Sequence, residues 1–190
     1  RIFAYLDEEE EIQHDTQEHL PEDVKGHVVF DHVKFGYSSA NILMDDVSFE
    51  VLPGQTAAIV GPTGAGKTTL INLLMRFYDV LEGEIRIDGV NIKDISRHEL
   101  REHLGMVLQD AWLFSDSIME NIRFGNLDAV DYQVREAAQI ANVDKFIDTL
   151  PGSYNMEINN EGTNISQGQK QLMTIARAVI SDPNILILDE

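Results

Sequence analysis

The sequence predicts an α/β protein built around a phosphate-binding loop. Three observations carry this prediction: apolar alternation typical of strands, a glycine-rich loop between an apolar run and a helical pattern, and an apolar strand that ends in two carboxylates. A continuous apolar strand is typical of a parallel sheet that helices cover on both faces. We therefore expect a small antiparallel sheet, a core with a parallel sheet, and a largely helical segment.

The composition fits a globular domain and excludes several kinds of site. The 190 residues are 43% hydrophobic and include no cysteine, which rules out disulfides and thiolate metal ligands. Lysine and arginine number 14 against 33 aspartate and glutamate residues, which gives a net charge of −19. Because a nucleic-acid backbone repels such a charge, we expect no nucleic-acid partner.

The first strands come after an acidic segment. Residues 7–11 are all acidic, and such a run is typical of a solvated linker. The chain begins with arginine and not methionine, so we expect it to be a piece of a longer polypeptide. From residue 26 the pattern alternates, which predicts the antiparallel sheet, and Asp88-Gly89 predicts a hairpin turn. The apolar residues of the first two predicted strands are Val28, Phe30, Val33, Phe35, Val47, Phe49 and Val51.

The phosphate-binding loop fits the pattern G-x-x-x-x-G-K-[ST] at every fixed position. It follows the apolar run 56–60, a predicted strand, and precedes a predicted helix that starts near Lys67. Glycines let the backbone wrap closely around phosphates, and the helix N-terminus adds a positive dipole. Lys67 is expected to reach the β- and γ-phosphates, and the Thr68 hydroxyl to hold Mg²⁺. The residues predicted to bind the nucleotide here are Gly61, Pro62, Thr63, Gly64, Ala65, Gly66, Lys67, Thr68 and Thr69.

The second half of the chain predicts helices between two strands. Residues 105–109 read as a strand that ends in Gln109, and residues 117–150 are largely helical in pattern. Ser96 with Glu99 and Ser166 with Gln169 have the spacing of capping boxes. By itself, the second box favours an ordinary helix start.

The chain ends in an apolar strand followed by two carboxylates. Residues 185–188 are continuously apolar and deliver Asp189 and Glu190 to the carboxyl end of that strand. Open α/β sheets bind ligands at this end, and the Mg²⁺ of a phosphate loop needs a carboxylate from a neighbouring strand. The sequence therefore predicts a metal ligand here.

Five features in one order resemble the nucleotide-binding domain of ABC transporters. They are an aromatic residue before the phosphate loop, the loop itself, a strand-end glutamine, a Ser-x-Gly-Gln helix start, and an apolar strand that ends in Asp-Glu. The resemblance covers residues 26–190. It implies a P-loop NTPase core with a parallel sheet, a small antiparallel β subdomain, and a helical signature subdomain over about residues 112–165. It also implies that residues 1–25 are a connector from a membrane domain, and that the last part of the core follows Glu190, with the D-loop and the switch histidine.

The resemblance assigns further nucleotide contacts. The local sequence around Tyr37 by itself favours a packing role. In the resemblance, Tyr37 looks like the aromatic residue that stacks on adenine. Ser166, Gly168 and Gln169 resemble the signature motif, which binds the nucleotide of a partner domain. Ile165 and Gln167 replace the leucine and the first glycine of the usual signature.

The resemblance also assigns the catalytic and metal groups. Glu190 looks like the catalytic glutamate, which acts with Lys67 and Gln109 on the γ-phosphate and its attacking water. The implied Mg²⁺ ligands, direct or through water, are Thr68, Gln109 and Asp189. The implied cofactors are ATP and Mg²⁺.

Residues 114–125 are similar to exporters that carry membrane and nucleotide-binding domains on one chain. This likeness implies an ATPase that powers export at the cytoplasmic face of the cell membrane. The implied partners are a second nucleotide-binding domain and the transmembrane domain of the same parent chain. The 190 residues alone are expected to be inactive.

Three other functions stay open at this point. A non-hydrolysing regulatory ATP site in a heterodimeric transporter is one of them. A non-transport ABC ATPase of DNA repair or chromosome structure is another, although the interval between Lys67 and Ser166 is too short for the coiled-coil insertion of those proteins. The third is a small-molecule kinase, which would lack the signature stretch.

Overall fold

The computed structural model describes residues 18–38, 41–108, 112–159 and 164–189. The chain divides into two compact units, Arg1–Leu100 and Arg101–Glu190, and each is described by itself. Within the described ranges, no helix combines the length and the apolar character needed to span a bilayer.

The first unit contains the predicted antiparallel sheet. Its strands are β1 (Val28–Phe35), β2 (Met44–Val51), β3 (Glu82–Ile87) and β4 (Val90–Asn91). They pair in the order β2-β1-β3-β4, and all three pairings are antiparallel. The Asp88-Gly89 turn joins β3 to β4, which confirms the predicted hairpin. The carboxylate of Asp88 also accepts hydrogen bonds from the N–H groups of Lys25 and His27, at 2.7 and 2.9 Å, so the turn holds the start of β1.

A bulge explains why the apolar alternation of β1 changes parity. The buried residues Phe30 and Val33 are three positions apart, and the register of β1 shifts between them against β2. His32, between them, has a left-handed φ of 50°. The extra residue turns both apolar side chains to the buried face, as a β-bulge does.

The first unit also contains helix α1 (Lys67–Leu74) and the larger part of helix α2 (Arg97–Glu102). At the start of α2, the Ser96 hydroxyl accepts a hydrogen bond from the Glu99 N–H at 3.1 Å, which is the serine half of the predicted capping box. The Glu99 carboxylate accepts a hydrogen bond from the Leu20 N–H at 2.7 Å. That side chain therefore ties the segment before β1 to α2.

The strand predicted over residues 56–60 is not formed within this unit, so that prediction is wrong as stated. A strand needs a neighbour to pair with, and no described residue forms a ladder with this run. Val60 is 91% exposed and Ile59 46% exposed. The apolar run is present, but pairing decides whether it becomes a strand.

The second unit joins a parallel strand pair to a group of helices. The strands are β5 (Leu104–Val107) and β6 (Ile185–Leu188), and they pair in parallel, as predicted for a core sheet. The helices are α3 (Ile118–Arg123), α4 (Asp131–Ile140), α5 (Asp144–Thr149), a 3₁₀ turn (Ser153–Asn155) and α6 (Gln167–Ile180). The largest side chains fully buried among these helices are Ile118, Ile122, Ile147, Ile158 and Met173. The predicted helical segment is confirmed.

Candidate nucleotide-binding site

The phosphate loop adopts a conformation that only glycine takes without strain at two positions. Gly64 and Gly66 have φ values of 82° and 90°. Gly66 is the N-cap residue of α1 and provides no side chain to accept hydrogen bonds from the first helical N–H groups. A Cβ at Gly66 would also lie 3.2 Å from the Met44 Cε atom. The start of α1 is therefore open to an anion, as at other phosphate-binding helix N-termini.

Lys67 reaches back across this loop. Its Nζ atom donates hydrogen bonds to the carbonyl oxygens of Gly61 and Pro62, at 2.8 and 3.1 Å. The Ala65 N–H donates to the same Pro62 oxygen at 3.1 Å and closes the loop. A phosphate oxygen is a stronger acceptor for an ammonium group than a neutral carbonyl. The ammonium group thus lies where a phosphate placed in the loop would attract it.

Tyr37 lies beside the start of α1. Its hydroxyl is 3.0 Å from the Oγ1 atom of Thr69, which is buried, and the two groups are hydrogen bonded. The Tyr37 ring packs edge-on against Phe35, with 5.2 Å between the centroids, yet 57% of the residue is exposed. The ring thus packs along one edge, and the rest of it is accessible beside the phosphate loop.

The helix start at Ser166 has the predicted capping box. The Ser166 hydroxyl accepts a hydrogen bond from the Gln169 N–H at 3.4 Å, and Gln169 Oε1 accepts one from the Ser166 N–H at 3.0 Å. Gly168 is exposed, and a Cβ added there would meet no described atom within 4 Å. Glycine within a helix costs about 1 kcal/mol relative to alanine, and no packing within this unit requires it. Close approach of a ligand would explain it.

The parallel pairing brings two strand ends to one edge. Val107 is in register with Leu188, and the Asp189 N–H donates a hydrogen bond to the Val107 carbonyl at 3.0 Å. Asp189 thus leaves the sheet where β5 ends. Gln109 and Glu190, the predicted glutamine and catalytic glutamate, lie outside the described residues, as does the acidic run in residues 7–11. Lys67 and Asp189 belong to different units.

Comparison with known proteins decides the family. The sequence model of the family described as "ABC transporter" matches residues 44–190, from β2 to the end of the chain. The chain belongs to the ABC transporter family. The resemblance to this family's ATP-binding domain, predicted from the motifs, is therefore confirmed.

Known ABC proteins are similar in sequence to this chain over most or all of its length. It is 50% identical over 190 residues to the "Fatty acid ABC transporter ATP-binding/permease protein" of Mycobacterium bovis, covering 100% of this chain and 30% of that protein. It is 45% identical over 166 residues to "ATP-binding cassette sub-family B member 6" of Rattus norvegicus, covering 87% of this chain and 20% of that protein. The chain thus spans 30% or less of the length of these two relatives.

A solved ABC structure confirms the α/β fold. A bacterial Atm1-family ABC exporter with ATP bound matches this chain with a TM-score of 0.86 and 42% sequence identity. The match covers 93% of this chain and 31% of that one. The similarity supports the α/β fold of an exporter ATP-binding domain.

Sequence reasoning missed a buried polar pair in the helical part of this ABC domain. Asn121 is fully buried, and its side-chain amide exchanges two hydrogen bonds with the backbone of Phe114, both at 3.0 Å. Arg177, on α6, donates to the Asn121 backbone oxygen at 2.8 Å and to its Oδ1 atom at 3.1 Å. Partial burial lowers the pKa of Arg177, which nevertheless stays charged. A polar pair on two separate helices leaves no local sequence signal.

This pair predicts a large loss of stability in one variant. Asn121→Leu keeps the number of side-chain heavy atoms but removes the acceptor of the Phe114 N–H and one acceptor of the Arg177 guanidinium, so we expect it to destabilise the protein by about 3 kcal/mol. Thermal unfolding of the full-length protein, with limited proteolysis to locate the weakened segment, measures this. The control is Asn155→Leu, at an exposed position in the same unit. Equal melting temperatures for the two variants would contradict the assigned role of Asn121.

Proposed function

We propose that this domain binds and hydrolyses Mg·ATP and that the hydrolysis powers export of a substrate across a membrane. The observation that carries the proposal is the phosphate loop, in which Lys67 spans the loop and the uncapped Gly66 opens the start of α1. The family and the exporter-type relatives support the same function.

The binding residues divide by the part of the nucleotide they hold. The backbone N–H groups of residues 61–68 and the Lys67 ammonium group bind the phosphates. The exposed Tyr37 ring stacks on the adenine, and the Thr69 hydroxyl holds the Tyr37 hydroxyl beside the loop. Tyr37 and the phosphate loop lie in the same unit, which supports the proposal that they bind one nucleotide.

Hydrolysis requires a base, a metal site and charge stabilisation. Glu190 orients or deprotonates the attacking water, and Lys67 stabilises the charge that develops on the γ-phosphate. The residues that would hold Mg²⁺, directly or through water, are Thr68, Gln109 and Asp189. A bound metal ion would supply positive charge to neutralise the phosphates.

We further propose that ATP joins two such domains. Each ATP is bound by the phosphate loop of one domain and by the start of α6, with Ser166, Gly168 and Gln169, of the other. The exposed Gly168, which packing does not explain, supports this contact. The membrane partner is the transmembrane domain of the same parent protein, and the ATPase lies at the cytoplasmic face of the membrane. Residues 1–25 would connect the two.

The experiment measures ATP-dependent closure of the two domains in the full-length protein. Asn155→Cys provides a spin-label site in each domain, because the 190 residues contain no cysteine; any cysteine elsewhere in the protein is first replaced. In a Glu190→Gln background, we expect Mg·ATP to shorten the distance between the two labels. Ser166→Arg should abolish the shortening, because its bulk and charge occupy the start of α6.

The matched control is Ser181→Arg, an exposed serine just after the other end of α6, which should close like the parent protein. If Mg·ATP leaves the distance unchanged, or if Ser166→Arg closes normally, ATP does not join the domains through this helix.

A further inference from the structure

Three aromatic rings meet beside the phosphate loop, and one of them, Tyr78, has no role in the motifs described above. Phe35, Tyr37 and Tyr78 have centroids 5.2 Å (Phe35 to Tyr37), 5.2 Å (Tyr37 to Tyr78) and 5.7 Å (Phe35 to Tyr78) apart. Phe35 is buried in β1, whereas Tyr78 is 45% and Tyr37 57% exposed. Tyr78 comes from the turn after α1, far in sequence from the other two rings.

The contacts of Tyr37 restrict its ring plane. Its hydroxyl is held by Thr69, but a single hydrogen bond at the ring's tip leaves the ring able to rotate about its long axis. Phe35 and Tyr78 contact the ring at interplanar angles of 81° and 86°, in the edge-to-face geometry that aromatic pairs prefer. Because Phe35 is buried in the core, Tyr78 is the contact that holds the exposed part of the ring.

The turn that carries Tyr78 is anchored by Arg76, whose side chain is buried. The Arg76 Nη1 atom donates to the carbonyl oxygens of Ile92 and Ile95, at 2.9 and 2.6 Å. Its Nε atom donates to Asp79 Oδ1 at 3.2 Å, across the segment that carries Tyr78. These bonds tie the residues on both sides of Tyr78 to each other and to the rest of the unit, which restricts the position of the Tyr78 ring.

We propose that Tyr78 is a positioning residue that holds the Tyr37 ring in the plane needed to stack on the nucleotide base. The inference rests on the proposed function, since it requires Tyr37 to bind the base. Tyr78 therefore acts on recognition of the base and leaves recognition of the phosphates unchanged. This separation distinguishes a positioning role from a general contribution to folding.

The test compares two ligands that share phosphates but differ in the base. In the full-length protein, equilibrium binding is measured for Mg·ATP and for Mg·tripolyphosphate. Losing an aromatic contact of this kind is expected to make Tyr78→Leu bind ATP about 3- to 10-fold more weakly. Tripolyphosphate binding should not change, and Tyr78→Phe, which keeps the ring, should match the parent protein.

A double substitution tests whether Tyr78 acts through Tyr37. Tyr37→Ala should weaken ATP binding, and Tyr37→Ala combined with Tyr78→Leu should be no weaker than Tyr37→Ala alone. The control is Tyr132→Leu, at an exposed position on α4, which should bind both ligands like the parent protein. Tyr78→Met fills the same space without a ring and serves if Tyr78→Leu lowers the yield of folded protein.

Each contrary result has a separate meaning. If Tyr37→Ala binds ATP normally, the proposed role of Tyr37 in base binding is wrong, and the inference on Tyr78 is wrong with it. If Tyr37→Ala weakens ATP binding but the Tyr78 variants do not, the inference alone is overturned. It is also overturned if the Tyr78 variants weaken ATP and tripolyphosphate equally, or if the double substitution is additive.

Discussion

Glu190→Gln is expected to lower ATP hydrolysis by the full-length protein about 1,000-fold while Mg·ATP binding is retained. Glu190 directly follows Asp189, which leaves the parallel sheet at the end of β6. Glutamine keeps the size of the side chain but cannot accept a proton from the attacking water. The chemical step is therefore lost, and the groups that bind the nucleotide stay unchanged.

The measurement is steady-state phosphate release together with equilibrium binding of Mg·ATP. Glu136→Gln makes the same chemical change at an exposed position on α4 and should hydrolyse ATP at the parent rate. Undiminished hydrolysis by Glu190→Gln would show that another group activates the water. Loss of binding as well as turnover would show that Glu190 holds the nucleotide or its metal ion.

Lys67→Ala is expected to lower kcat/KM for ATP at least about 100-fold, because the lysine supplies a charged donor to the phosphates in both the ground state and the transition state. In the structure the Lys67 ammonium group lies across the loop and donates to the oxygens of Gly61 and Pro62. Unlike Glu190→Gln, this variant should also bind ATP more weakly.

Lys93→Ala removes an exposed lysine from the same unit and keeps the change in net charge equal. It should hydrolyse ATP normally, because salt screens the charge of an exposed surface lysine. If the Lys67 and Lys93 variants lose activity equally, the loss comes from the change in the net charge of the protein and not from the loop. In a protein with a net charge of −19, that comparison is needed before the loss is assigned to the loop.

The two variants together separate the steps that the proposal assigns to different residues. Glu190→Gln tests the hydrolysis step without changing ATP binding, whereas Lys67→Ala tests both hydrolysis and ATP binding. A transporter that binds ATP but does not turn it over in the parent form would instead match the non-hydrolysing alternative. The parent rate is therefore measured first in either experiment.

The sequence by itself determined the features that depend on local chemistry. The phosphate loop needs left-handed backbone at Gly66, a lysine and a hydroxyl at set spacing, so its pattern could be recognised directly. The same holds for the Asp88-Gly89 turn and for the cap at Ser166, because each is made by residues within a few positions of one another. The family could be predicted because five such local features stand in one order.

Only the tertiary structure decided which distant residues meet. Tyr37 contacts Thr69 and Tyr78 beside the phosphate loop, and neither neighbour is within 30 positions of it in the sequence. Likewise, a hydrophobicity pattern does not show that Asn121 and Arg177 satisfy each other in the helical part. The run 56–60 has the composition of a strand, yet it pairs with no described residue. Hydrogen bonding between strands, ring stacking and the satisfaction of buried polar groups depend on partners that folding brings together, and local sequence does not specify those partners.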